Sequence, residues 1–145
     1  MAAQPGVLPR ILINGLAATR IAALDRGLNY GDGVFRTLRV ADGRPRWWSD
    51  HLAKLAEDCD RLGLDCPDAT VLDRDLARLQ PLPASGVLRL TLTRGEGPRG
   101  YRPPISPRCT RILACWPGDG AEYPREGLTL RVCQLRLGPQ PALAG

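Results

Sequence analysis

Two glycine-rich polar stretches carry the residue types best suited to binding a charged small molecule. The first, DRGLNYGDGVFRTLRV (residues 25–40), places glycines among carboxylates, a tyrosine and a phenylalanine. Because glycine permits tight backbone turns, this stretch can direct Tyr30, Phe35 and Thr37 into one cavity. Phe35 and Thr37 are two apart on a predicted strand, so they face the same side. A tight turn that leads into an ordinary core strand is the alternative, and residue types alone favour it.

The second stretch, residues 94–102, combines basic and aromatic side chains in one loop. It holds Arg94, Arg99, Tyr101 and Arg102 with glycines between them. Guanidinium groups match carboxylates geometrically, so the loop suits a small substrate with several negative charges. An ordinary solvated surface loop is the open alternative.

Residue type and spacing disfavour other kinds of site. The GDG motif lacks the basic residue and the spacing of a phosphate-binding P-loop or a dinucleotide fingerprint. The five cysteines include no CxxC pair, which indicates neither a metal site nor a disulfide framework. His51, the single histidine, is better interpreted as a structural residue than as an acid or base. The net charge of +5 comes from scattered arginines, which favours a solvated surface over a nucleic-acid interface.

Periodic patterns predict the elements that hold these stretches. The Asn14-Gly15 pair predicts a hairpin between RILING and ATRIAALD (residues 18–25), and the ADG turn at 41–43 predicts a second between FRTLRV and RPRWW. A helix should begin at a cap formed by Ser49 or Asp50 and end at Gly63. The remaining predicted elements are a helix over about 67–79 and strands over 86–95, 108–116 and 128–137.

The order of these elements predicts an α+β fold with two layers. We expect an N-terminal α+β domain over residues 1–116, an interdomain linker over 117–127 and the start of a C-terminal domain over 128–145. The sequence has no apolar run near the ~20 residues that cross a bilayer. It also has no N-terminal targeting pattern, so a cytoplasmic location is expected.

Four motifs in their order and spacing resemble the fold-type IV pyridoxal-phosphate enzymes. They are DRGLNYGDGVFRTLRV, HLAKL, LTLTRGEGPRGY and GLTLRVCQLRLGPQPALAG, and the resemblance covers nearly the whole chain from Ile11 onward. Among these enzymes the pattern is most similar to the aminodeoxychorismate lyases, while branched-chain and D-amino acid aminotransferases share the architecture. The resemblance implies the N-terminal domain of the D-amino acid aminotransferase-like fold, followed by the first strand of a truncated second domain.

The resemblance implies that Lys54 binds the phosphate of pyridoxal 5'-phosphate. Lys54, in HLAKL, stands where the family usually has an arginine for this purpose. Lysine keeps the positive charge but loses the bidentate fork of arginine. The alternative for Lys54 is an exposed helix ion pair with Asp58, which would stabilise the protein little.

The resemblance also implies the residues that meet the substrate. Arg99 and Tyr101 match the loop that binds substrate carboxylates. Phe35 and Thr37 match positions that face the cleft, and a hydroxyl at Thr37 is suited to assisting proton transfer. The aminotransferases tend to carry glutamate and an aliphatic residue where this chain has Arg36 and Thr37, which makes the lyases the better match. No metal is implied.

The implied reaction is the elimination of pyruvate from 4-amino-4-deoxychorismate to give 4-aminobenzoate in folate synthesis. The enzyme would be a homodimer with a small-molecule substrate and no nucleic-acid or membrane partner. In the family, the Schiff-base lysine follows a segment like PALAG by a residue or two, whereas Lys54 is the only lysine of this sequence. We therefore expect an inactive N-terminal portion of such a lyase. A fold-type IV aminotransferase and a non-catalytic interaction module remain the alternatives.

Overall fold

The computed structural model describes residues 9–118, 127–136 and 138, and it has the predicted α+β architecture. In these residues the elements are, in chain order, β1 (Arg10–Ile13), β2 (Leu16–Ala17), α1 (Arg26–Tyr30), β3 (Gly33–Ala41), β4 (Arg44–Pro45), α2 (Trp48–Leu62), α3 (Ala69–Leu79), β5 (Ser85–Thr93) and β6 (Thr110–Pro117).

These strands form one antiparallel sheet in the order β2-β1-β6-β5-β3-β4. Strands β3 and β5 pair along their whole lengths, from Gly33 opposite Thr93 to Ala41 opposite Ser85. Apolar residues alternate with polar ones along both strands, so the sheet has one face suited to burial.

Helices α2 and α3 pack on that apolar face and complete a two-layer fold. Helix α2 buries Leu55 and Cys59, and α3 buries Leu72 and Leu79. Their partners in the core are the inward residues of the sheet, which include Leu12, Val34, Leu38, Val40, Leu88, Leu90, Leu92, Leu113 and Cys115. On β3 the opposite face is solvent-exposed at Phe35, Thr37 and Arg39.

Both predicted hairpins form, but their return strands are shorter than expected. Asn14 and Gly15 have φ values of 52° and 79°, as a two-residue hairpin turn with left-handed residues requires. Strand β2 nevertheless covers only Leu16–Ala17 and not residues 18–25, a segment rich in alanine, which has low strand propensity. Strand β4 is limited to Arg44–Pro45 because Trp47 adopts a left-handed conformation (φ 50°) that turns the chain into α2.

The predicted helices are present, with one wrong cap. Helix α2 begins after Trp47, which makes no side-chain capping hydrogen bond, so the expected cap at Ser49 or Asp50 is wrong. Gly63 ends the helix in a left-handed conformation, as predicted. Helix α3 begins at Ala69, where the Thr70 N–H donates to the side chain of Asp68 at 2.8 Å.

Two further elements differ from the sequence prediction. The short helix α1 was not predicted, because five residues are too few to show a helical period. The predicted strand over 128–137 is absent from its described part: residues 127–136 are exposed and have no regular secondary structure. Most of the expected linker at 117–127 lies outside the described residues. In the part of the chain that is described, no helix is long and apolar enough to span a membrane.

Candidate functional site

The glycine-rich stretch packs tightly against the end of β5. Asp25 caps α1 by accepting the Gly27 N–H at 2.8 Å, and its other carboxylate oxygen accepts the hydroxyls of Thr93 (3.0 Å) and Thr110 (2.8 Å). A Cβ atom at Gly27 would lie 2.3 Å from Cγ2 of Thr93, and one at Gly33 would lie 2.4 Å from the Leu92 carbonyl oxygen. These glycines therefore allow close approach to β5, which agrees with the plainer interpretation of the stretch.

A buried ion network joins this stretch to the second glycine-rich loop. The Asp32 carboxylate accepts hydrogen bonds from Nε of Arg26 at 2.8 Å and from Nε of Arg94 at 2.9 Å. Arg94 also donates to the Gly63 and Leu62 carbonyls at the end of α2, at 2.6 and 2.9 Å. Burial raises the pKa of Asp32, but the hydrogen bonds and charges of Arg94 and Arg26 outweigh burial and leave that pKa below its ordinary value of 3.8.

Arg94 is therefore not available to a substrate, although the sequence grouped it with the loop arginines. It is buried, and each of its three guanidinium nitrogens donates to Asp32 or to the end of α2. The sequence does separate Arg94 from Arg99, because the alternation that buries Leu88, Leu90 and Leu92 on β5 continues to Arg94. Arg99 lies beyond this strand and is exposed.

The predicted substrate residues of this loop lie on a backbone that the network holds. Arg26 donates to the carbonyls of Gly100 (2.9 Å) and Tyr101 (3.1 Å). The Gly100 N–H donates to the Tyr30 hydroxyl at 2.9 Å. On this backbone, Arg99 is exposed and Tyr101 is 90% exposed. Both side chains are free to meet a ligand.

Phe35 and Thr37 share the exposed face of β3, as predicted. The guanidinium carbon of Arg89, on β5, lies 3.9 Å from the centre of the Phe35 ring, and Thr37 is the strand partner of Arg89. Tyr30 does not join them, because its ring contacts Arg26 and Tyr101. Neither of the two cavities described below is lined by Tyr30, Phe35 or Thr37, so the expectation that they share a cavity stays a prediction.

Lys54 lies on the other side of β3, in a charged cavity of about 260 Å³ that is lined by Arg36, Trp47, Asp50, His51 and Lys54. The Lys54 ammonium is 3.1 Å from Asp58 and 3.4 Å from Glu57, so the helix ion pair considered for it forms. Asp58 is shared with Arg36, whose Nη2 lies 3.4 Å away. The structure thus places Lys54 beside Arg36 and separates it from the face that carries Phe35 and Thr37.

A larger cavity of about 450 Å³ lies between α2 and α3, and its lining is mainly apolar. Trp48 borders it and donates from Nε1 to Asp73 at 2.8 Å. None of the predicted site residues lines it. The larger cavity is therefore mainly apolar, and the charged side chains converge at the smaller one.

Comparison with known proteins assigns the family of this two-layer domain. The model of the Amino-transferase class IV family matches residues 33–144, and the chain belongs to that family. The matched segment runs from the start of β3 and includes the residues of the charged cavity and of the exposed arginine loop.

Particular relatives narrow the comparison. An aminodeoxychorismate lyase from Vibrio harveyi is 33% identical over 136 residues, which cover 92% of this chain and 50% of that protein. The crystal structure of 4-amino-4-deoxychorismate lyase from Pseudomonas aeruginosa has a TM-score of 0.81 and 42% identity, covering 93% of this chain and 50% of that one. A hypothetical aminotransferase from Mycobacterium tuberculosis, solved in a PLP-bound form, has a TM-score of 0.58 and 28% identity, covering 79% and 36%. The chain spans half the length of both lyases.

The donors around Lys54 fit a phosphate group. Lys54, which carries an ammonium, and Arg36, which carries a guanidinium, both line the cavity and both pair with Asp58. Among the described residues, Nε of Arg36 is the one buried side-chain nitrogen or oxygen without a hydrogen-bond partner. A phosphate has several acceptor oxygens and prefers such donors. Sequence reasoning missed Arg36 as a site residue, although the same alternation that exposes Phe35 and Thr37 predicts Arg36 on the face toward α2.

The ion network around Asp32 should stabilise the folded protein. Replacing Asp32 by asparagine should lower the free energy of unfolding at neutral pH by about 1.5–3 kcal/mol, the scale of a hydrogen bond to a charged group. Because the folded-state pKa of Asp32 is depressed, this contribution is present above the ordinary value of 3.8 and is lost as the pH falls through the lower folded-state pKa. Urea unfolding of both proteins between pH 7 and pH 2.5 measures the difference.

The matched control is Asp42→Asn, since Asp42 is exposed and pairs with Arg46 four residues away. That change should shift stability by less than about 0.5 kcal/mol at any pH. A loss for Asp32→Asn that stays constant down to pH 2.5 would contradict an ionised Asp32 in the network.

Proposed function

We propose that this chain contributes the N-terminal half of an aminodeoxychorismate lyase that uses pyridoxal 5'-phosphate. The reaction is elimination of pyruvate from 4-amino-4-deoxychorismate, which leaves 4-aminobenzoate for folate synthesis. The observation that carries the proposal is the similarity to the Pseudomonas lyase, at 42% identity over 93% of this chain. The enzyme is proposed to be a cytoplasmic homodimer. Size-exclusion chromatography with light scattering can test its oligomeric state.

Lys54 is proposed to hold the cofactor phosphate in the charged cavity. Its ammonium is fixed by Asp58 and Glu57, and such a group acts as a charge and not as a free amine. Lys54 is also the only lysine of the sequence. On this assignment, the lysine that binds the cofactor covalently is not among the 145 residues of the chain.

The substrate is proposed to lie at the exposed face of β3 and under the arginine loop. Arg99 and Tyr101 bind and orient its carboxylates with charge-assisted hydrogen bonds. Phe35 gives an apolar contact that excludes water from the reacting atoms. The bound cofactor supplies a ring that withdraws electrons from the substrate carbon. The Thr37 hydroxyl assists the transfer of a proton during elimination.

An aminotransferase of the same family is the second candidate, favoured by the similarity to the PLP-bound Mycobacterium protein. Such an enzyme would need an amino donor and a keto acid. Thr37 argues for the lyase, because a hydroxyl at this position can assist proton transfer, which an aliphatic side chain cannot do.

A chimera tests the proposed function directly. Residues 9–118 of this chain, which include the Asp32 network, should replace the matching segment of the Pseudomonas lyase, whose remaining half is kept. We expect the chimera to release 4-aminobenzoate and pyruvate in equal amounts from 4-amino-4-deoxychorismate. It should transfer no amino group from D-alanine or leucine to 2-oxoglutarate. Transamination without lyase turnover would instead support the second candidate.

The role of Lys54 is tested in the same chimera by cofactor affinity. Lys54→Ala should weaken cofactor binding by about 1.5–3 kcal/mol, the scale of a hydrogen bond to a charged group. Lys54→Arg should retain binding, because the charge is kept and a fork is gained. Arg74→Ala, at an exposed position of α3, is the control for loss of one positive charge. Equal cofactor affinity in the Lys54→Ala chimera would limit Lys54 to its helix ion pairs.

The role of Arg99 is tested by substrate kinetics. Arg99→Ala should lower kcat/KM for 4-amino-4-deoxychorismate by roughly ten- to a hundredfold, equivalent to about 1.5–3 kcal/mol for a charge-assisted bond. Cofactor affinity should stay the same. Arg102→Ala, in the same exposed loop, is the matched control and should leave both values unchanged. If Arg99→Ala loses the cofactor and keeps its substrate kinetics, the roles proposed for Arg99 and Lys54 would have to be exchanged.

A further inference from the structure

We propose that Arg36 is a second ligand for the phosphate group in the charged cavity. The inference rests on the proposed function only in assigning that cavity to the cofactor phosphate. It identifies an anion site built from one strand residue and one helix residue, Arg36 on β3 and Lys54 on α2. The ligand class is a phosphate monoester.

The position of Arg36 is unusual for a charged residue. On the β3–β5 ladder it stands opposite Leu90, which is 2% exposed, and its neighbours on that face of β3 are buried apolar residues. Burying a guanidinium on an apolar face is unfavourable unless polar partners compensate. A charge at this position therefore requires a reason beyond packing.

The guanidinium of Arg36 lacks a full set of hydrogen-bond acceptors. Its ion pair with Asp58 spans 3.4 Å, longer than the charge-assisted hydrogen bonds of about 2.7–2.9 Å that satisfy a guanidinium fully. Its Nε is buried and has no partner within the described residues. A buried donor without an acceptor is costly, and an oxygen of a bound anion would remove that cost.

The two cations of the cavity favour an anion with several acceptor oxygens. Asp58 pairs with both Arg36 and Lys54 and so holds the two cations near each other. Asp50 also lines the cavity and repels any anion, so binding requires that both cations contact the ligand. A phosphate monoester has three free oxygens that can accept from the two cations at once, which favours it over a carboxylate with two oxygens.

The test measures binding to this chain by calorimetry, with probes that lack an aldehyde. Pyridoxamine 5'-phosphate, pyridoxamine and inorganic phosphate separate the contribution of the phosphate from that of the ring. Arg36→Met should weaken pyridoxamine 5'-phosphate and inorganic phosphate by at least about tenfold, or about 1.4 kcal/mol, and leave pyridoxamine unchanged. Arg36→Lys should recover part of the loss, and it serves as the second variant if Arg36→Met does not fold.

The matched control is Arg39→Met, since Arg39 is an exposed arginine of the same strand on the opposite face. It should leave all three affinities unchanged. A purely structural role for Arg36 would lower the melting temperature of Arg36→Met without changing the ratio of the two pyridoxamine affinities, and that result would overturn the inference.

The outcomes separate this inference from the proposed function. If Lys54→Met weakens phosphate binding and Arg36→Met does not, Arg36 is excluded while the assignment of Lys54 stands. If the unmodified chain does not distinguish pyridoxamine 5'-phosphate from pyridoxamine, the anion site is overturned. Lyase turnover by the chimera would in that case still support the proposed function independently.

Discussion

The Asp32 carboxylate, shared by two buried arginines, is the interaction on which the arrangement of the candidate site depends. Arg26 also donates hydrogen bonds to the backbone carbonyls of residues 100 and 101, and Arg94 donates to the carbonyls at the end of α2. One carboxylate thereby fixes a loop, a short helix and a long helix. A buried arginine without its carboxylate would leave an uncompensated charge, which proteins tolerate poorly. The exposed side chains of Arg99 and Tyr101 can face a ligand because their backbone is held from below.

The sheet then divides the candidate site into two parts. The period of two along β3 sends Phe35 and Thr37 to the exposed face and Arg36 to the face that meets α2. Lys54 and Arg36 line the cavity proposed for an anion, whereas Phe35, Thr37 and the arginine loop offer apolar, hydroxyl and cationic groups on the other side. A ligand with a phosphate at one end and a reactive ring at the other would have to pass the free edge of β3. Within the described part of the chain, the rest of that edge is unpaired, since β4 pairs only with Val40 and Ala41.

Most of the fold was predictable from the sequence, because its signals are local. Turn residues such as Asn14-Gly15, the terminating Gly63 and the leucine alternation of β5 each act over a few residues. The predicted site residues remain predictions. Sequence reasoning grouped Arg94 with the other basic residues of its loop, although the alternation of Leu88, Leu90 and Leu92 continues to Arg94 and predicts it on the buried face. Arg36 was not proposed from the sequence, because Asp58 and Lys54 approach it only after α2 packs on the sheet.

The β3–β5 ladder constrains how this chain tolerates changes in length. Gly33 lies against the Leu92 carbonyl and Gly86 against the Trp116 carbonyl, so the paired strands are in contact with a neighbouring backbone near both ends of the ladder. Insertion of one residue within β3 would exchange its two faces over the rest of the strand, burying a threonine or phenylalanine and exposing Arg36. Insertion of two residues would preserve the faces. Natural variation in the length of β3 is therefore expected to occur in pairs of residues, or as a bulge that restores the alternation before Phe35.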